Sequence, residues 1–481
     1  MRRLVVAASV LAAVVVPTDG QAAAGPRWGD CPEDVVGRCL RVRVPVDHAR
    51  PGGASIDLAV SRIAAADPAR RVGVLVLAPG GPGGAGLGLP GQLAPLLPRS
   101  VRDRYDLVGF DPRFTGRSAP VGCGLTEARL PDLTPWPRPG GTHAVAVDLA
   151  RRCDRHAGAA LPHMGTGDTA RDLDLVRRAL GERRISYLGY SYATHLGAVY
   201  QSLFPARVDR MVLDSAVDPA RVWRGALRGW GEGTEVRFPD FAAWAAARDG
   251  ELGLGATPAA VRAAYLDAAA DLDRAPRTLL DGNPLTGNLL REGMREALYA
   301  DAGFPAFGAV LADLRRGVTP ALTQGQVVPI LAGRAARASR GWPAVPVDNF
   351  AAGFLGVVCR DGAWPRDPAV YARTARREAA RHPLAGAMAA GEFACAAWPT
   401  GPAPQRVRPA AAPTLVLGST RDPAGPLTGT LAMRAALGER AASVTARQGG
   451  HGVYLLSGNA CADALVSAFL DGGALPGDTS C

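Results

Sequence analysis

The chain has 481 residues, 48% of them hydrophobic and 20% charged, with a formal net charge of +10, which excludes a disordered or fibrous protein and leaves room for a large core. All 54 basic residues are arginine, as in a GC-rich coding bias, and no basic run is interleaved with aromatics, so nucleic acid is excluded as a partner. Beyond the first residues no segment nears the roughly 20 consecutive apolar residues of a membrane-spanning helix, so no stable membrane insertion is expected.

Arg2 and Arg3 precede an apolar stretch from Leu4 to Val16, and Gln21, Ala22, Ala23 and Ala24 follow before the chain turns polar. That pattern is a secretory signal peptide over 1–24, so the mature chain is expected to be secreted, with retention at the cell wall left open. Unalternating apolar runs at Val72–Leu77, Tyr105–Phe110, Ile185–Leu188, Val208–Leu213 and Thr414–Leu417 read as buried parallel strands. A helix precedes the third run, with Asp168 as N-cap, Leu173, Val176 and Leu180 on one face and Gly181 closing it. Strands alternating with helices specify an α/β sheet.

The first run leads into Pro79, Gly80, Gly81, Pro82, Gly83 and Gly84, where glycines let the backbone turn N–H groups toward a ligand. Gly86, Gly88 and Gly91 form a formal dinucleotide fingerprint, but it starts nine residues past the strand and contains Pro90, and a phosphate-cradling loop would need a lysine that the chain lacks. The third run ends in Gly189-Tyr190-Ser191-Tyr192-Ala193 and passes into the helical stretch Leu196–Leu203. A strand, a sharp turn with small residues two before and two after the serine, and a helix make a nucleophile elbow. From 221 to 405 the pattern changes to helical stretches containing Ala, Arg and Trp, which reads as a helical cap inserted between core segments 25–220 and 406–481.

A serine hydroxyl needs a base, and the base an acid, in the chain order Ser, acid, His. Of the seven histidines only His195, His382 and His451 follow Ser191. His195 lies in the elbow helix and His382 in an arginine-rich helical stretch, whereas His451 stands in the turn Gly449-Gly450-His451-Gly452, which selects it as base. Asp422, just past the strand Thr414–Leu417, is the expected acid. The oxyanion donors expected are the amide of Tyr192 and that of Gly81, with Gly80 next. The eight cysteines fall in local couples that favour the disulfides Cys31 with Cys39, Cys123 with Cys153, Cys359 with Cys395 and Cys461 with Cys481; none has zinc-knuckle spacing.

These residues resemble the secreted tripeptidyl aminopeptidases and their proline iminopeptidase relatives among the α/β-hydrolases. The resemblance rests on Gly80-Gly81-Pro82-Gly83, on the stretches Asp111 to Ser118, Gly189 to Thr194 and Val212 to Pro219, and on Gly450-His451-Gly452 with Cys461 and Cys481. It implies a mostly parallel sheet with helices on both faces, a helical cap that excludes long or folded chains, and release of short peptides from free N-termini. Phe114, Ala85, Ala193 and Ser215 depart from the family's usual residues, and substrate choice is what these departures put in doubt. Recognition of an ammonium group calls for a carboxylate in the cap, and Glu235, then Glu232, are the candidates in the acid- and aromatic-rich segment Trp230 to Trp244.

The reading is a monomeric serine exopeptidase acting on short peptides, releasing tripeptides or single residues, with no metal or organic cofactor implied. A secreted carboxylesterase or lipase on the same scaffold is the alternative, and a catalytically dead binding protein is disfavoured because all three triad candidates remain.

Overall fold

Ten strands form one sheet among the residues that the computed structural model describes, which are 28–134, 136–138, 141–329, 335–339, 341–389 and 394–481; the signal segment 1–24 lies outside them. In chain order the strands are β1 (Gly29–Asp30), β2 (Arg38–Pro45), β3 (Ser55–Ile63), β4 (Gly73–Ala78), β5 (Tyr105–Phe110), β6 (Ile185–Tyr190), β7 (Val208–Asp214), a separate hairpin β8 (Arg277–Thr278) and β9 (Pro284–Leu285), then β10 (Thr414–Arg421), β11 (Ala441–Gly449) and β12 (Thr479–Ser480). The order across the sheet is β1-β2-β3-β5-β4-β6-β7-β10-β11-β12. The pairs from β1 through β3 to β5 are antiparallel, and every pair from β5 to β12 is parallel.

The continuous apolar runs follow from burial on both faces of this sheet. Val74, Val76, Val108, Tyr187, Met211, Leu213 and Val416 pack into one core, while the intervening Leu75, Leu77, Leu107, Leu188, Val212, Leu415 and Leu417 pack into the other. Each such side chain contributes about 1.5–3 kcal/mol by leaving water. The longer helices are α1 (Thr142–Ala157), α2 (Thr166–Ala179), α3 (Tyr192–Leu203), α4 (Arg224–Ala246), α5 (Pro258–Arg274), α6 (Gly287–Ala297), α7 (Phe304–Arg315), α8 (Asn349–Asp361), α9 (Pro368–Arg381), α10 (Leu427–Leu437) and α11 (Ala460–Leu470). Buried residues of α2, α3 and α10 join the first core, and Val466 and Phe469 of α11 join the second, so helices cover both faces. This is the α/β-hydrolase arrangement.

Helix α2 begins at Thr166, with Gly165 at its N-cap, so Asp168 sits in the first turn rather than at the cap. The capping acceptor comes from far along the chain, because Asp361 Oδ1 accepts from Thr166 N–H at 2.8 Å. Between β7 and β10 the regular elements of the described chain are helices apart from the small hairpin and two isolated bridges, with loops between them. The four disulfides join Cys31 to Cys39, Cys123 to Cys153, Cys359 to Cys395 and Cys461 to Cys481. No helix among the described residues is long and apolar enough to cross a membrane.

Candidate active site

Strand β6 delivers Ser191 at the sheet's carboxyl end, with φ 58° and ψ −122°, a conformation that costs a non-glycine residue about 1–3 kcal/mol. The turn is held from both sides. Ser191 N–H donates to the Asp214 carbonyl at 2.9 Å, and Thr194 N–H donates to the Ser191 carbonyl at 2.9 Å. A Cβ on Gly189 would stand 2.7 Å from Tyr187 Cε1 and 2.8 Å from Ala193 Cβ. Position 189 therefore has to be glycine, and because it is, position 193 has room for alanine.

The glycine loop after β4 runs beside the serine. A Cβ on Gly80 would lie 3.5 Å from Ser191 Cβ, and one on Gly83 would lie 2.6 Å from Phe350 O and Phe354 N, so the loop is pressed between the elbow and α8. Gly81 and Tyr192 line the same cleft as Ser191. The backbone N–H groups of Gly80, Gly81 and Tyr192 donate to no acceptor among the described residues. Orphan donors converging beside a serine suit a developing oxyanion.

Asp422 follows β10 directly and is 2% exposed. Its Oδ1 accepts from Ala424 N–H at 2.8 Å and Gly425 N–H at 2.7 Å, and His451 Nδ1 lies 2.8 Å from Oδ1 and 2.9 Å from Oδ2. A carboxylate can only accept, so Nδ1 carries the proton and Nε2 is left with a lone pair that can accept one. Burial opposes protonation of His451, but the charge of Asp422, its hydrogen bond and the charge of Asp214 outweigh burial and raise the imidazole above its ordinary pKa. The ring is fixed further by His451 N–H donating to the Tyr299 carbonyl at 2.8 Å and by an edge contact with the Tyr299 ring, 5.0 Å between centroids.

The hydrogen bond from Ser191 to His451 is not formed in this structure. Ser191 lines the cleft, His451 lines the adjoining groove, and Tyr299 borders both. Catalytic hydrogen bonds of this kind commonly tighten only when substrate is bound.

Asp214 was not singled out by the sequence beyond its place in a family motif. At the end of β7 its carboxylate accepts from Val453 N–H at 3.0 Å and Tyr454 N–H at 2.7 Å, and Ser215 Oγ accepts from Gly452 N–H at 2.8 Å. The two residues thus clamp the loop that carries His451. Burial pushes the Asp214 carboxyl up to about 6 against the lowering effect of the Tyr454 and Val453 amides. The signal available in the sequence was an aspartate at a strand's carboxyl end next to the elbow strand.

The two carboxylates expected to meet an ammonium group lie elsewhere. Glu235 Oε1 accepts from Leu384 N–H at 2.8 Å and Oε2 pairs with Arg262 at 2.9 Å, Glu232 is exposed, and neither lines the cleft. The acid that lines the cleft is Glu292, on α6, 1% exposed. Two N–H groups of Arg295 take its Oε1, at 3.1 and 2.5 Å, and among the described residues Oε2 has only Trp136 Nε1 at 3.4 Å. Arg295 is held in turn over the Trp230 ring, 4.3 Å from its centroid, and on Tyr299 Oη at 2.9 Å. Otherwise the cleft is walled largely by apolar and aromatic side chains, among them Trp223, Trp230, Phe350 and Phe354.

A family model described as TAP-like protein matches residues 382–481. The chain is 34% identical to the tripeptidyl aminopeptidase of Streptomyces coelicolor, over 96% of this chain and 86% of that one. It is 31% identical to serine protease Hip1 of Mycobacterium tuberculosis, over 91% and 86% of the two chains, and 32% identical to a carboxylesterase B of the same species, over 94% and 89%. A solved structure of a proline iminopeptidase-related protein of Thermus thermophilus aligns over 90% of this chain and 98% of that one, with 15% identity and a TM-score of 0.36. The identity that runs through nearly the whole of both sequences, together with the α/β-hydrolase sheet, means that the chain belongs to the tripeptidyl aminopeptidase family of α/β-hydrolases and is a serine hydrolase of the peptidase type.

Proposed function

We propose that this protein is an exported serine exopeptidase that releases short peptides, tripeptides above all, from free N-termini, with Ser191 as nucleophile, His451 as base and Asp422 as the acid that orients it. Nε2 of His451 takes the Ser191 hydroxyl proton as Oγ attacks the scissile carbonyl, and the oxyanion forms against the N–H groups of Tyr192 and Gly81. The imidazolium then protonates the departing amine. Water, deprotonated by the same Nε2, hydrolyses the acyl-enzyme.

The observation that carries the exopeptidase reading is Glu292, a carboxylate buried among aromatics in the cleft that Ser191 lines. With Oε1 occupied by Arg295, Oε2 retains lone pairs for an ammonium N–H, and burying such a pair costs stability that a binding role would explain. Segment 221–405 acts as the cap. A Cβ on Gly233 of α4 would lie 2.6 Å from the Asp422 carbonyl, and Gly83 abuts α8, so helices close over the site on both sides and admit a chain end rather than a chain middle. Four disulfides suit an oxidising compartment, in keeping with export through the signal at 1–24.

A free-amine tripeptide anilide, its N-acetyl twin and a short acyl ester separate the readings. The free amine is expected to be cleaved about 100-fold or more faster than the acetylated peptide, as expected when a buried carboxylate loses its charged partner. Glu292→Gln is expected to lower kcat/KM for the free amine by roughly 30-fold and to narrow that gap. Equal cleavage of the blocked peptide, or turnover of the ester alone, would instead favour the esterase reading suggested by the apolar cleft and by the relative named carboxylesterase B.

A further inference from the structure

We propose that the polar groove on the other side of His451 is a subsite for the free α-carboxylate of the departing peptide, with Arg421, Arg447 and Gln448 as its donors. This rests on the exopeptidase reading, which puts the acyl portion in the Ser191 cleft with its N-terminus at Glu292. His451 must hand its proton to the leaving nitrogen, so the leaving portion emerges on the side of His451, and that side is this groove.

The two chambers differ in chemistry. The Ser191 cleft is mostly apolar, whereas the groove is lined by Arg237, Arg421 and Arg447 against Asp240 and Asp301. Arg237 is fully committed, since it pairs with both Asp240 and Asp301 and donates to the Leu298 carbonyl. Gly449 makes room for that pairing, as a Cβ there would overlap the Arg237 guanidinium. Arg421 gives only its Nε to Asp240, at 2.8 and 3.1 Å, which leaves both of its terminal nitrogens without an acceptor among the described residues. Arg447 is exposed and has no ion pair among them; only its backbone N–H is used, donating to the Cys481 carbonyl.

Gln448 adds a donor whose orientation the hydrogen-bond network fixes. Asn459 Oδ1 caps α11 by accepting from Ala462 N–H at 3.0 Å, so its Nδ2 is the group that meets Gln448, and it donates to Gln448 Oε1 at 2.8 Å. Gln448 Nε2 is thereby turned from Asn459 and is buried without an acceptor among the described residues. Nε2 has no free surface here, so a carboxylate in the groove meets it only when the Gln448 side chain turns outward, and the contact would then remove the cost of about 1–3 kcal/mol that a buried donor without an acceptor carries. Two guanidinium groups and an orphan amide bordering one groove match an anion with two oxygens.

The test compares tetra- to hexapeptides bearing a free C-terminal carboxylate with the same peptides as C-terminal amides, using the purified mature chain, with the free-amine tripeptide anilide as a substrate that carries no carboxylate. The free acids are expected to show kcat/KM about tenfold above the amides at low salt, and the preference should shrink at high salt as screening weakens the contact. In the Arg421→Gln, Arg447→Gln double variant the acid-to-amide ratio should fall to near unity, each value being read as a ratio against the anilide in the same protein. A wild-type enzyme that cleaves the anilide but treats acid and amide alike would overturn the subsite and leave the exopeptidase standing, as would a ratio that survives both substitutions. Failure to cleave any free-amine peptide would overturn the exopeptidase reading and the subsite with it.

Discussion

Ser191→Ala is expected to lower kcat for peptide anilides by about 10⁴- to 10⁶-fold while leaving the thermal unfolding midpoint within a few degrees of the wild type. The size of the loss follows from what the hydroxyl does. In the proposed mechanism it is the atom that bonds to the acyl carbon, and none of the other described residues lining the cleft is a nucleophile with a base at hand. The fold is expected to survive because the contacts that shape the elbow use the backbone of Ser191, whose N–H meets the Asp214 carbonyl and whose carbonyl meets Thr194, while its Oγ makes no hydrogen bond to the other described residues. Alanine inherits the same positive φ at similar cost, so no strain is added or released. Residual turnover above that of water should remain, since the N–H groups of Tyr192 and Gly81, the proposed oxyanion donors, are left in place. Wild-type rates in the purified variant would remove Ser191 from the mechanism.

The elements around this serine were legible in the sequence because each has a local cause. Strands β4 to β7 and β10 are buried on both faces and therefore read as continuous apolar runs, and the elbow is confined to five residues. The hairpin of β2 and β3 at the antiparallel edge escaped because β2, Arg-Cys-Leu-Arg-Val-Arg-Val-Pro, alternates polar with apolar and has one exposed face. Such a strand does not resemble its parallel neighbours. The cap of α2 escaped for a different reason, since Asp361 reaches Thr166 from a distant helix and no window around Thr166 contains it.

The carboxylate proposed to bind the substrate's ammonium group shows the limit most sharply. Glu235 sits in a segment rich in aromatic residues, whereas the nearest aromatic to Glu292 in the sequence is Tyr299, seven positions on, so local pattern favours Glu235. Packing reverses that order. Arg262 and the Leu384 amide hold Glu235 away from the cleft, while Trp136, Trp230 and Arg295, brought together from separate segments, enclose Glu292 at it. Asp214 belongs to the same class, because its importance comes from two amides in a loop more than two hundred positions away.

Asp422→Asn is expected to lower kcat/KM by about 10⁴-fold with the geometry intact, because the substitution selects the wrong tautomer of His451. Oδ1 of Asp422 is held by the amides of Ala424 and Gly425, so an asparagine would keep its oxygen there and turn its Nδ2 to where Oδ2 stands 2.9 Å from His451 Nδ1. Oδ1 also stands 2.8 Å from Nδ1, but it is uncharged in asparagine and already accepts from two amides, so donation by Nδ2 is expected to prevail: Nδ1 would accept, the proton would sit on Nε2, and Ser191 would face a donor instead of a base. The pH dependence gives an independent reading. In the proposed mechanism the unprotonated imidazole is the active form, so wild-type activity should rise with pH through a midpoint above the ordinary histidine value. Asparagine removes the charge and the accepting oxygen that raise that midpoint, while burial, which lowers it, remains. The imidazole of the variant, followed by NMR, should therefore titrate at lower pH than that of the wild type. A large loss of activity with an unmoved midpoint would mean that Asp214, the other buried carboxylate that raises it, holds the imidazole's charge, and that Asp422 acts through orientation alone.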